Sequence, residues 1–229
     1  MKYYQVGVSS EPKIIGVKNG IHQVQIDKEE MIRNLSFKEF LDFFRSQNST
    51  FFENQEIIKE FKIPAIKAEM LVRAKRTDIM GYTPNISFLN RLYSAKYIDI
   101  LKKFNVGNYT TFKVNIDGVE EIYYMLFVEN IRLNEIIYEE STVITGYKTL
   151  NNVKYFDINN SEEYKKFIQT NPLGRFEKIA ISKNHLGKDI IEIQSAPTFY
   201  SERLIDELLK SNVTGLDVKY KGSIELDFI

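Results

Sequence analysis

"YSERLIDELLKSNV", Tyr200 to Val213, repeats a pattern already written at Tyr93 to Val106 as "YSAKYIDILKKFNV". Eight of the fourteen aligned positions are identical, where average residue usage gives about one. Each shared position has a structural reading. Ser94 and Ser201 are N-caps, whose hydroxyl oxygens accept an otherwise unpaired amide of the first helical turn. Tyr93 and Tyr200 then stand before the cap, with Ile98 and Ile205 at the spacing of a hydrophobic staple. Tyr97, Ile98 and Leu101, and in the second copy Leu204, Ile205 and Leu208, make matching apolar stripes at three- and four-residue spacing. Asp99 with Lys103 and Asp206 with Lys210 are four apart, as helix-surface ion pairs require. Asn105 and Asn212 fit the exits as C-terminal caps, since Asn tolerates left-handed backbone. The competing reading makes either serine a nucleophile. No Gly-x-Ser-x-Gly elbow or Ser-x-x-Lys spacing involves them, and Asp99, five residues past Ser94, points away from the cap on a helix.

Composition narrows the function classes. The chain has 229 residues, enough for one large or two small domains, with 31 basic and 31 acidic side chains and no Cys. Balanced charge disfavours nucleic-acid binding. Without Cys there are no disulfides, thiolate zinc sites or thiol nucleophiles. The start "MKYYQVGVSSEPK" carries no apolar signal core, and no segment approaches the ~18 apolar residues of a membrane span. A cytoplasmic protein is expected.

Along the chain, Asn19-Gly20 between two alternating runs predicts a hairpin over residues 13 to 26. After Ser36, read as an N-cap, Phe37, Phe40, Leu41 and Phe44 fall on one helical face, and "NQEIIKEFKI" makes a short helix that Pro64 ends. Residues 1–63 therefore read as a hairpin and Phe-rich helix module, and 64–229 as the main domain. There "AIKAEMLVRAK" predicts a strand, "MGYTPN" a loop, and Asp117-Gly118 a hairpin turn between "YTTFKVNI" and "EEIYYMLFVENI", the second strand apolar enough to be central. "NEIIYEES" is a helical turn or a strand exit, and "SEEYKKFI" a helix capped by Ser161. "EKIAIS", "DIIEIQ" and "GLDVKY" supply further strands. The fold class is α+β, with mixed or antiparallel sheets and two related strand, capped-helix, strand units.

Candidate chemistry is sparse. His22 and His185 are far apart, with no His-x-x-x-His spacing, and the glycines of "IMGY", "NPLGRF" and "HLGKD" lack phosphate-cradling spacing. No metal or cofactor site is expected. Glu120-Glu121 and Glu139-Glu140 are adjacent carboxylates that diverge on a strand or a helix, so neither pair is an acid/base dyad. They are solvated surface or, on the sharper reading, an acidic patch for a basic partner.

"SAKYIDILKKFNVGNYTTFKVNI", "IYYMLFVENIRLNEIIYEES" and "KIAISKNHLGKDIIEI", followed by "FYSERLIDELLKSNVTGLDV", resemble in this order segments of a bacterial immunity protein family from polymorphic and contact-dependent toxin systems, over roughly residues 64 to 218. The resemblance implies a non-enzymatic cytoplasmic protein that binds a cognate toxin and neutralises it by stoichiometric occlusion. Two other classes stay open: a small hydrolase or transferase using His22 or His185 with a carboxylate, and a scaffold or adaptor that pairs through its sheet edges.

Overall fold

A computed structural model describes residues 1–18, 20 and 22–229. Its strands are β1 (Tyr3–Val8), β2 (His22–Ile26), β3 (Ile66–Met70), β4 (Ile79–Thr83), β5 (Leu92–Ser94), β6 (Tyr109–Ile116), β7 (Tyr123–Val128), β8 (Asn130–Ile131), β9 (Thr142–Thr145), β10 (Lys154–Phe156), β11 (Arg175–Ile181), β12 (Ile190–Ile193), β13 (Phe199–Ser201), β14 (Leu216–Lys219) and β15 (Glu225–Phe228). The helices are α1 (Pro12–Ile15), α2 (Lys28–Arg33), α3 (Leu35–Phe43), α4 (Ala95–Leu101), α5 (Ser161–Thr170) and α6 (Glu202–Lys210). The protein is mixed α+β. One closed barrel runs β2-β3-β6-β7-β5-β4, a five-stranded sheet runs β14-β1-β13-β12-β8, and a four-stranded sheet runs β10-β9-β11-β15. Parallel and antiparallel pairs occur in all three. Among the described residues no helix is long and apolar enough to cross a membrane.

Three apolar layers follow from strand alternation. Along β7, Tyr123, Met125 and Phe127 face one cluster while Leu126 and Val128 face another, so this strand is buried on both sides. The first cluster combines barrel side chains with Phe37, Phe40 and Phe44 of the α3 region and with Phe51. Phe40 meets Phe112 at 4.9 Å edge to face, and Phe44 meets Phe51 at 5.7 Å. The second cluster packs the outer barrel wall, α4 and α6 against Val6, Ile190 and Tyr200 of the five-stranded sheet. The third packs the opposite face of that sheet, through Ile191, Ile193 and Phe199, on Val143, Phe176 and Ile179 of the four-stranded sheet and on α5.

Several local expectations are corrected by these pairings. Residues 12–15 form a helical turn and β2 pairs with β3 and β4, so among the described residues no hairpin spans 13 to 26; Asn19, its expected turn residue, lies outside the described residues. Within residues 1–63, β1 lies between β13 and β14, and β2 closes the barrel. "MGYTPN" is in part strand, with Gly81 opposite His22 in β4. Asn34, and not Ser36, caps α3, its Oδ1 accepting from the Ser36 amide at 2.9 Å; Asn160, and not Ser161, caps α5 through the Glu163 amide at 3.0 Å. Lys102 takes Asp99 at 2.7 Å because α4 ends before Lys103, and no Asp206–Lys210 ion pair forms among the described residues. Asn212 is left-handed, φ 52°; Asn105 is not, and lies four residues past α4 with its amide bonded to Asp189 instead.

Candidate functional site

The two serines are held on both sides. Ser94 Oγ accepts the Tyr97 amide at 3.1 Å and donates to Asp78 Oδ1 at 2.8 Å. Ser201 Oγ accepts the Leu204 amide at 3.2 Å and donates to Asp189 Oδ1 at 2.5 Å. Each aspartate then reaches the segment that follows the other copy's helix: Asp78 Oδ2 accepts from the Thr214 amide and Asp189 Oδ2 from the Asn105 amide, both at 2.8 Å. Lys96 stands 3.8 Å from Asp78, and Arg203, at the same place in the second copy, grips Asp189 with two nitrogens at 2.6 Å. Ser94, Ser201 and Asp189 are fully buried. With proton and lone pair both engaged, these hydroxyls are cap chemistry that ties one copy to the other.

The carboxylate pairs lie in separate connections. Glu120 and Glu121 sit in the connection from β6 to β7, Glu120 exposed and Glu121 half-buried. Glu139 and Glu140 are exposed in a 3-10 turn, Tyr138–Glu140. His22 is exposed on β2. His185 is half-buried beside a cleft shared with Glu129, Arg132, Glu135 and Lys188, and burial, then Lys188, holds its pKa below the usual histidine value. The nearby carboxylates are engaged elsewhere, Glu135 with the Arg132 amide at 2.9 Å and Glu129 with the Asn108 side-chain amide at 2.7 Å. Among the described residues no cluster of three His, Asp or Glu could hold a metal.

Two features were missed by sequence reasoning. The first is the outer face of the four-stranded sheet, where Tyr155 of β10, Ile144 of β9 and Arg175 of β11 stand side by side in register. Ile144 is buried beneath them, while Tyr155 and Tyr147 are 64% and 45% exposed. The Arg175 guanidinium lies 5.4 Å from the Tyr147 ring, a cation–π arrangement. Leu150 and Leu173, exposed, stand in the adjoining turns.

The second is a cleft of about 170 Å³ between the barrel wall and the five-stranded sheet. Arg91, just before β5, and Glu192 of β12 both line it, with Asn90, Asn130, Ser195 and Thr198 around them and Phe52 and Phe88 among its apolar walls. Glu192 Oε1 accepts the Thr198 hydroxyl at 2.8 Å; burial raises its pKa, partly offset by that bond and by Arg91. Burial opposes the Arg91 charge, but its pKa is raised overall, with the Glu192 carboxylate among the groups that favour the charge, so the guanidinium stays charged. Tyr97 and Tyr200 share a hydroxyl–hydroxyl bond nearby, and burial drives both phenols well above their usual pKa. The chain matches no protein-family model and none of the curated proteins compared with it.

Proposed function

We propose that this chain is an immunity protein that works in the cytoplasm by binding a cognate toxin and blocking it one to one. The observation that carries this reading is the Tyr147, Arg175 and Tyr155 surface. Tyr and Arg concentrate at the energetic centres of protein interfaces, because they supply large, stiff contact area with a polar end. A sheet that holds them in register loses little further freedom on binding. The segments that resemble the immunity family support the same reading. Glu139 and Glu140 are a second contact candidate, suited to a basic region of the partner; Glu120 and Glu121 are a third.

The fold also carries a relation between its halves. We infer that β4-β5-α4-β6-β7 and β12-β13-α6-β14-β1 are two copies of one unit, with β1 of the second copy displaced to the start of the chain. The registers correspond: Leu92, Tyr93 and Ser94 face Met125, Tyr124 and Tyr123, as Phe199, Tyr200 and Ser201 face Gln5, Tyr4 and Tyr3. β7 reads "YYMLFV" and β1 "YYQVGV". Tyr123 and Tyr3 each donate to the carbonyl just before the capping aspartate, Thr77 at 3.1 Å and Lys188 at 2.9 Å.

The test is affinity capture and growth rescue with toxins encoded beside this gene. A stable one-to-one complex is expected, and the double variant Tyr155→Ala, Arg175→Ala should weaken it at least about tenfold with unchanged thermal stability. Failure of every neighbouring toxin to bind overturns the function. Loss of binding on Glu139→Lys, Glu140→Lys with no effect of the sheet variants overturns the face.

A further inference from the structure

We propose that the cleft between Arg91 and Glu192 binds a small zwitterion of the α-amino-acid class, its carboxylate on Arg91 and its ammonium on Glu192. The inference is independent of toxin binding. It begins from two opposite charges that face one cleft without meeting: among the described residues no nitrogen of Arg91 comes within 4.0 Å of a carboxylate oxygen. A guanidinium has five N–H groups, and Arg91 gives the Val6 carbonyl one long bond, 3.3 Å, and lies within reach of the Tyr93 hydroxyl, which leaves further N–H groups for a ligand. Glu192 uses Oε1 for Thr198, and no described donor reaches Oε2. A buried pair that never closes into a contact is costly, and a ligand carrying both complementary charges answers both ends at once.

Size and walls narrow the class further. At about 170 Å³ the cleft is smaller than the ~300–1,000 Å³ of drug-sized ligand pockets, which favours a small ligand. Phe52, Phe88 and Ala196 provide an apolar side for a short aliphatic side chain. Phe88 and Ser195, both lining the cleft, hold left-handed backbone at φ 64° and 69°, a conformation that L residues keep only where the surroundings enforce it and that gathers at binding sites. The Phe88 ring is fixed by stacking on Phe51 at 3.8 Å, so this wall is formed before any ligand arrives.

The experiment is an amide NMR titration of the full chain with glycine, L-alanine and L-valine, and with acetate and methylammonium as half-ligands. Saturable shifts at Asn130, Gln194 and Ser195 are expected with alanine, at a Kd on the order of 1 mM or tighter, with each half-ligand at least about tenfold weaker. Glu192→Gln, nearly isosteric, should weaken alanine about tenfold and leave acetate unchanged, whereas Arg91→Met should lose both. Asn90→Trp, at an exposed position on the cleft, should weaken alanine without altering either charge, and keeps the test valid if Arg91→Met does not fold. No saturable shift with any amino acid up to ~50 mM overturns the proposal. So does equal binding of alanine and acetate, which would reduce the site to an anion contact.

Discussion

Asp189 shows how one buried carboxylate can organise a long stretch of chain. It accepts the Ser201 hydroxyl and the Asn105 amide, and its own amide donates to the Asn105 carbonyl at 2.6 Å. Asp189→Ala leaves the Ser201 hydroxyl and the Asn105 amide without that partner and releases the half-exposed Arg203 guanidinium, which can turn to water; an orphaned buried donor costs ~1–3 kcal/mol, so about 2–4 kcal/mol of stability should be lost in urea unfolding. Ser201→Ala removes the cap and one of those bonds and should cost about 1–2 kcal/mol, less than additively with Asp189→Ala. Glu192 gives a pH signature in the reverse sense to a salt-bridged carboxylate. Its folded pKa is raised, so the folded state holds the proton more tightly than the unfolded one, and this group's contribution is full at low pH and lost as pH rises through the folded value. The groups around it are Arg91, Thr198 and the phenols of Tyr93, Tyr97 and Tyr200. Glu192→Gln should therefore gain stability over the parent as pH rises from the ordinary carboxylate range to neutrality, measured by urea unfolding across that range. A constant difference would show that burial does not penalise the charge.

At the scale of elements, the apolar stripes were legible and their ends were not. Phe37, Phe40 and Phe44 are buried as their spacing predicts, because a helix has to place such a stripe against something apolar. Phe44→Ala, which empties a site among Phe43, Phe51, Phe112 and Phe127, should cost about 3–5 kcal/mol. The caps slipped by one or two residues at α3 and α5 because Asn and Ser compete for the same role and tertiary packing picks the phase. The turn after α6 depends on tertiary contact in a different way. Gly215 has φ 84°, and an added Cβ would run into the Ile79 carbonyl where that turn crosses β4. Gly215→Ala should thus cost at least ~1–3 kcal/mol, whereas the same change at Gly118, φ 72° with open space around it, should cost less. Comparing the two midpoints in urea checks this.

At the scale of the whole molecule, the first eight residues join the two ends of the chain. Among the described residues β14 has β1 as its only strand neighbour, and β1 also covers β13 beside the buried Ser201. Removing residues 1–8 should therefore unpair both strands and expose Tyr200 and Leu204. We expect the truncated chain to lose a single cooperative unfolding transition, followed by circular dichroism in urea. A sharp transition with the parent's slope would show that β1 is dispensable.

The sequence by itself determined what depends on neighbours a few positions away: the serine-led helices, the Phe stripe, the Asp117-Gly118 turn, and the doubly apolar β7. Those signals rest on helix and strand periods and on local hydrogen bonds, which are complete within a dozen residues. Only the tertiary structure decided which strands pair, that six of them close into a barrel, and that β1 completes a sheet built from the other end of the chain. It alone brought Arg91 to face Glu192 across one cleft, and Tyr155 and Arg175 to the two sides of Ile144. The physical reason is that a pairing between distant segments is set by the summed burial and hydrogen bonding of whole faces, which no single stretch of residues carries.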